Sequence, residues 1–100
     1  MELFQLLKTM VDHDASDLFL SVGAPPNIKI AGATRPLSAP PFRAGEVREL
    51  ANSVMNERQR KEFDETLESN LAISAEGIGR FRINAYVQKS EVAMVVRYIK

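Results

Sequence analysis

The fold of this chain is decided by residues 80–99, which read RFRINAYVQKSEVAMVVRYI. Apolar and polar side chains alternate through Arg80–Gln88 and again through Glu91–Ile99, which predicts two half-buried strands. A two-residue turn at Lys89-Ser90 would join these strands into a hairpin, and a four-residue turn would keep the same register. One face of the hairpin then consists of apolar pairs: Phe81 with Tyr98, Ile83 with Val96, Ala85 with Met94, and Val87 with Val92. A shift of one residue would destroy this match, so the register is well specified.

The other face of the hairpin brings like charges together. In the same register Arg82 lies directly across from Arg97, and Arg80 lies beside them. Directly opposed like charges are unfavourable in a sheet unless something bridges them. The guanidinium groups either extend into solvent or meet carboxylates from elsewhere in the fold, or they bind an anion such as phosphate, whose oxygens match the planar arginine fork. The residues alone favour solvation or neutralisation by carboxylates over an anion site, because exposed charges are mostly solvated.

The composition describes one small domain with balanced charge. One hundred residues are enough for a single modest core. Thirteen basic and thirteen acidic residues leave no net charge, and this argues against nucleic acid as a partner, as does the lack of an aromatic stacking surface. The chain has no cysteine, in agreement with a reducing compartment, and its start does not resemble a signal peptide. Because the last predicted strand stops abruptly at Lys100, we expect the chain to be a piece of something longer.

The rest of the chain completes an α+β domain with a mostly antiparallel sheet, in the order αβββααβββ. The expected helices lie near 2–12, around 47–55 and at 57–67, and the expected strands before the hairpin lie at 18–22, 27–31, 34–37 and 70–75. Residues 15–17 form a turn in this scheme. Asn56 and Gln59 have the spacing of a capping box that begins the third helix. Phe63 and Leu67 are expected to form the apolar ridge of that helix.

Few other residues suggest chemistry. His13 is the only histidine and lies between two aspartates near the end of the first helix, where the helix dipole favours a cation. Those aspartates lie on different helix faces, so no metal site is expected. No Gly-rich segment of the chain ends in Gly-Lys followed by Ser or Thr, and the chain therefore has no P-loop. It cannot form a complete ATPase site by itself.

Several separated motifs resemble one protein family. They are ASDLFL at 15–20, GAPP at 23–26, GRFRINA at 79–85 and EVAMVVRYI at 91–99. In this order and spacing they resemble the amino-terminal domain of the PilT/PilU retraction ATPases of bacterial type IV pili, within the secretion ATPase superfamily. The likeness extends over essentially all 100 residues.

This resemblance implies a PAS-like fold for residues 1–100, which form a single domain. It also implies that a RecA-like P-loop domain, absent from this chain, follows in a hexameric ATPase at the cytoplasmic face of the inner membrane. The parent protein would bind ATP and Mg²⁺, whereas neither is expected on this chain alone. Its partners would be its own P-loop domain, neighbouring subunits, the pilus platform protein of the inner membrane and a PilT-type paralogue.

The resemblance also changes the preferred explanation of the arginines. Arg82 and Arg97 match family arginines that reach toward the nucleotide phosphates when the two domains close, so both are expected to be catalytic. Arg80, Arg82 and Arg97 are all expected to contact the nucleotide, Arg80 most weakly. In this explanation a phosphate group of ATP is the anion that bridges the opposed arginines of the hairpin.

Two departures point to the PilU branch of the family. Phe19 stands where PilT-type sequences usually have histidine, and residues 70–73 also resemble PilU-type relatives. A different class of function stays open as an alternative, namely a free-standing PAS-like sensory or ligand-binding module. Such a sensor requires an enclosed cavity, whereas the ATPase requires an exposed arginine face.

Overall fold

The computed structural model describes residues 2–100 and contains three helices and six strands. The helices are α1 (Leu3–Asp12), α2 (Glu46–Ser53) and α3 (Glu57–Thr66). The strands are β1 (Asp17–Leu20), β2 (Asn27–Ile30), β3 (Ala33–Pro36), β4 (Glu68–Ala75), β5 (Gly79–Gln88) and β6 (Glu91–Ile99). This arrangement confirms the predicted α+β, PAS-like class and the order αβββααβββ.

All six strands form one antiparallel sheet in the order β3-β2-β1-β6-β5-β4. The predicted register of the β5–β6 hairpin is confirmed, from Gln88 opposite Glu91 to Arg82 opposite Arg97. The connecting turn has two residues, and both have positive φ angles, 51° at Lys89 and 66° at Ser90. Positive φ at both positions defines a type I′ turn, whose twist matches that of the flanking strands.

The centre of the sheet is formed by the first and the last strand of the chain. Leu18 of β1 lies opposite Ile28 of β2 on one side and opposite Val96 of β6 on the other. Strand β1 begins at Asp17, one residue before the predicted start, and Asp17 is therefore paired with Arg97 instead of belonging to a turn. This pairing connects the two halves of the sheet.

The helices cover one face of the sheet and bury the core against it. In α1 the buried side chains follow the 3.6-residue period and lie on one stripe of the helix. The largest fully buried side chains are Phe63, Phe81, Leu6, Leu7, Met10, Leu18, Leu20, Ile28, Ile83, Met94, Val47 and Val92. The opposite face of the sheet carries the exposed arginines, and we call it the open face. No helix formed by residues 2–100 has the length and apolar character needed to cross a membrane.

Helix α3 begins with the predicted capping box but ends before the predicted residue, Leu67. The capping box is present: the side-chain oxygen of Asn56 accepts from the backbone nitrogen of Gln59 at 2.8 Å, and the Gln59 side chain accepts from the Asn56 backbone at 2.9 Å. Phe63 is buried as expected. The prediction for Leu67 is wrong, because α3 ends at Thr66 and Leu67 takes a left-handed conformation with 49% of its surface exposed. The chain reverses there to enter β4, which turns Leu67 away from the core.

Candidate functional site

One line of directly paired residues crosses the open face of the sheet. From β4 to β2 it contains Ala72, Arg82, Arg97, Asp17 and Lys29. Side chains of directly opposed residues lie on the same face, with Cα atoms about 4.5–5.5 Å apart. The last four residues carry the charges plus, plus, minus and plus, and we call them the charged row. The two arginines of the row are directly opposed on the β5–β6 hairpin.

Arg97 has a carboxylate partner. Its Nε donates a hydrogen bond to Oδ1 of Asp17 at 3.2 Å, and its side chain is 71% exposed. Asp17 is only 6% exposed and is the one buried charged residue among residues 2–100. The Ser16 hydroxyl donates to the other carboxylate oxygen, Oδ2, at 2.9 Å. Partial neutralisation of the arginines by a carboxylate, one of the two sequence-based explanations, therefore applies to Arg97.

Arg82 has no such partner. The ion pairs formed by residues 2–100 include none with Arg82 or Arg80, although both side chains are exposed on the open face. Opposed to another arginine, Arg82 carries a positive charge that no carboxylate of the described residues offsets. A second positive group beside a half-neutralised one forms a local positive potential in a chain without net charge.

A depression of about 430 Å³ lies beside the two arginines. The side chains that face it from the sheet are Asn70, Ala72, Arg82, Asn84, Val95 and Arg97. The Asn84 amide donates to the side-chain oxygen of Asn70 at 2.8 Å, which fixes both amides at the floor of the depression. The depression is open to solvent and lies on the face opposite the core, so it can receive a group presented by another domain.

Arg80 precedes Arg82 by two residues on β5, on the same face of the sheet, and does not line the depression. It is exposed between Ser74 of β4 and Ile99 of β6. Successive same-face residues of a strand are about 7 Å apart, so an extended Arg80 side chain reaches the rim of the depression and not its floor. Of the three arginines identified from the sequence, the structure brings together Arg82 and Arg97.

The one histidine of the chain lies at the carboxyl-terminal end of α1. Nδ1 of His13 lies 2.8 Å from the carbonyl oxygen of Thr9, which places the ring at the end of α1. Across residues 2–100, no three or more His, Asp or Glu side chains come together as a possible metal site. The exposed polar groups that line the depression on the open face are the guanidinium groups of Arg82 and Arg97 and the amides of Asn70 and Asn84.

Asp17 is the member of the charged row that sequence reasoning missed. Its signal was the alternation of Asp17, Leu18, Phe19 and Leu20, in which the leucines point to the core and the other two residues to the open face. That alternation assigns a face to Asp17 but does not identify Arg97 as its partner, because the two residues are 80 positions apart.

Comparison with known proteins supports the resemblance in sequence. No protein-family model matches the chain. The type IV pilus ATPase PilU of Pseudomonas aeruginosa is 46% identical over 100 residues, which are the whole of this chain and 26% of that relative. The type IV pilus retraction ATPase PilT of the same organism is 38% identical over 99 residues, or 29% of its length. The chain thus spans little more than a quarter of the relatives that it matches.

Solved structures support the resemblance in fold. A crystal structure of the pilus retraction motor PilT with bound ADP superposes with a TM-score of 0.93 at 31% identity, over the whole of this chain and 29% of that one. The Legionella pneumophila ATPase DotB superposes with a TM-score of 0.79 at 17% identity and supports the fold alone. Sequence and fold together show that this chain is similar to one domain of type IV pilus ATPases. Within that class it matches the amino-terminal domain of the PilT/PilU family, with more identities to PilU than to PilT.

Proposed function

We propose that this chain is the amino-terminal domain of a hexameric type IV pilus retraction ATPase of the PilU type. In this role Arg82 and Arg97 bind phosphate groups of ATP and couple the nucleotide state to movement of the domain. The observation that carries the proposal is the opposed arginine pair beside an open depression, in a chain that matches PilU along its whole length. The likeness to a PilT structure that contains ADP supports a nucleotide as the anion.

The chemistry of such a site is electrostatic. Phosphoryl transfer places negative charge on the equatorial oxygens of the γ-phosphoryl group, and arginines that reach these oxygens stabilise the transition state. Arginine remains charged at any working pH and offers two parallel N–H groups to a pair of phosphate oxygens. Two guanidinium groups on adjacent strands form a clamp with this geometry, and Arg80 at the rim adds long-range attraction.

The remaining parts of the ATPase come from outside this chain. The 100 residues contain no P-loop sequence, so a following RecA-like domain binds the nucleotide and holds Mg²⁺. Proteins usually hold Mg²⁺ through one or two carboxylates together with the substrate phosphates, and in this proposal those carboxylates would belong to the following domain. Closure of the two domains then carries the arginines to the phosphates, and opening after hydrolysis moves this domain as a rigid body.

The resemblance to the PilT/PilU family also suggests how the full-length protein assembles, where it acts and which partners it has. Six subunits form a ring, in which the open face meets a P-loop domain of the same or a neighbouring subunit. The ring acts in the cytoplasm, peripherally at the inner membrane, on the pilus platform protein and together with a PilT-type paralogue. Nucleic acid is not a partner in this proposal, because the chain has no net charge.

The geometry favours this function over the alternative of a sensory module. A PAS-like sensor holds its ligand in a cavity between helices and sheet, but in this protein Leu6, Leu7, Phe81 and Ile83 pack there with at most 1% exposure. The depression beside the arginines is on the opposite face and opens to solvent.

The test of the proposal is ATP hydrolysis by the full-length protein that contains this chain. We expect Arg82→Ala and Arg97→Ala each to lower turnover by about 10³-fold, the lower end of the effect of arginine fingers. Arg35→Ala is a matched control, because Arg35 is an exposed arginine on the edge strand β3, three strands away from Arg97, and shares the other face of the sheet with Ile28. The 100-residue chain alone is expected to show no hydrolysis. Unchanged turnover in both row variants would refute the assignment.

A further inference from the structure

We propose that Asp17 is a positioning residue that holds Arg97 by its Nε and thereby directs the rest of the guanidinium group toward the phosphate. The inference rests on the proposed function and adds to it the reason why Arg97, and not Arg82, has a fixed orientation. It assigns a role to Asp17, the one buried charged residue among residues 2–100, which does not line the depression.

The contact between Asp17 and Arg97 leaves the functional part of the arginine free. A guanidinium group has five N–H donors, one on Nε and four on the two terminal nitrogens. Among residues 2–100 the only recorded hydrogen bond of the Arg97 side chain is the one from Nε to Asp17 Oδ1, at 3.2 Å. The side chain of Asp17 is 9% exposed while that of Arg97 is 71% exposed. The base of the guanidinium group is thus anchored, and its fork stands in solvent beside the depression.

Asp17 is itself held on all sides. Its backbone lies in β1 between Lys29 of β2 and Arg97 of β6, at the centre of the sheet. Its second carboxylate oxygen accepts from the Ser16 hydroxyl at 2.9 Å, and the carbonyl oxygen of Ser16 accepts from the backbone nitrogen of Tyr98 at 3.1 Å. Both oxygens of the carboxylate are therefore engaged, and a short aspartate side chain fixed in this way is a rigid anchor.

The arrangement is asymmetric in a way that suits a clamp. Asp17 on β1 and Arg82 on β5 flank Arg97 on opposite sides. The carboxylate therefore holds the base of the Arg97 guanidinium group on the β1 side, and its negative charge lowers the repulsion between the directly opposed arginines. Arg82 has no anchor among the described residues, so it remains the adaptable member that closes on the phosphate. A contact with one partner so exposed adds little to stability, and positioning is the effect that we expect to dominate.

The first test is a cycle of variants in the full-length ATPase. We expect Asp17→Ala to lower kcat by about 10²-fold, the loss typical of a misplaced catalytic group, with KM for ATP nearly unchanged. In an Arg97→Ala background the same substitution should have no further effect, because Asp17 acts through Arg97. Asp17→Asn should retain most of the turnover, since the amide oxygen still accepts from Nε. Asp14→Ala is the control, because Asp14 is an exposed carboxylate whose one ion pair within residues 2–100 is with Lys100.

The cycle separates the two proposals. If Arg97→Ala lowers turnover but Asp17→Ala lowers it equally in both backgrounds, Asp17 acts through general stability and the positioning inference is overturned alone. If Arg97→Ala leaves turnover unchanged, the phosphate role of Arg97 fails, and the inference fails with it.

A second measurement does not depend on the folding of any Asp17 variant. In the unmodified 100-residue chain, the ¹⁵N-attached Nε proton of Arg97 should exchange with water more slowly than that of Arg82, which serves as the internal reference. Arg82→Lys and Arg97→Lys assign the two signals by their disappearance. Equal exchange rates would show that Asp17 does not hold Arg97, and would overturn the inference.

Discussion

Gly79 is the position where one added carbon should disturb this fold most clearly. Its φ angle is +153°, and a Cβ atom placed there would lie 2.8 Å from Cε1 of Tyr98. The tyrosine ring has no easy escape, because it packs against the fully buried Phe81 with ring centroids 5.4 Å apart. Gly79→Ala therefore combines backbone strain of about 1–3 kcal/mol with overpacking of about 1–3 kcal/mol. We expect a total loss of about 2–6 kcal/mol in the free energy of unfolding.

Gly77→Ala is the matched control for this experiment. Gly77 has a φ angle of +77°, but a Cβ atom there would meet nothing within 4 Å. It should show only the backbone strain, about 1 kcal/mol. Urea unfolding of the 100-residue chain, followed by far-UV circular dichroism at a common m-value, measures both variants. In a Tyr98→Ala background the overpacking part should be lost, so the difference between the two variants should shrink by about 1–3 kcal/mol. If Gly79→Ala is no more destabilising than Gly77→Ala in the wild-type background, the clash with Tyr98 does not exist and the reasoning is wrong.

Two further substitutions test the hairpin and the core by the same assay. Changing Lys89→Asn and Ser90→Gly together should stabilise the chain by about 1 kcal/mol, because Asn-Gly adopts the type I′ turn with less strain; a loss of stability would contradict the turn assignment. Phe63→Ala should destabilise it by about 3–5 kcal/mol, since the ring is 1% exposed and its loss leaves a cavity under α3. Glu57→Ala on the same helix is the exposed control, and equal effects of the two would argue against a packed core at Phe63.

The parts of the fold that could be predicted from the sequence are the local ones. Alternation and turn length fixed every pair of the β5–β6 hairpin, including the opposed Arg82 and Arg97, because both strands and their turn lie within twenty-one residues. The capping box of α3 was equally local, since its two side chains are three residues apart. Turn geometry and helix caps involve only neighbouring residues, so their physics can be worked out from a short stretch.

The parts that could not be predicted depend on distant contacts. The sequence of residues 15–20 does not indicate that β1 pairs with β6, and without this pairing the ion-pair partner of Asp17 cannot be identified. The β1–β6 pairing also makes the two arginines unequal, because Arg97 is hydrogen-bonded to Asp17 whereas Arg82 is not. The prediction for Leu67 was wrong for a related reason. Helical spacing placed Leu67 on the apolar ridge of α3, but the helix ends at Thr66 and the chain reverses direction at Leu67 to enter β4.

The central position of β6 has a consequence for the order in which this protein is made. Because β6 is the last strand and joins β1 to β5, the sheet has no centre until residues 91–99 have been synthesised. Such long-range pairing raises the contact order and slows folding. A nascent chain that ends before Glu91 should therefore remain open to protease on the ribosome, and protection should appear abruptly once Ile99 has left the exit tunnel. In a longer protein, this domain would complete its folding while the next one is already being translated.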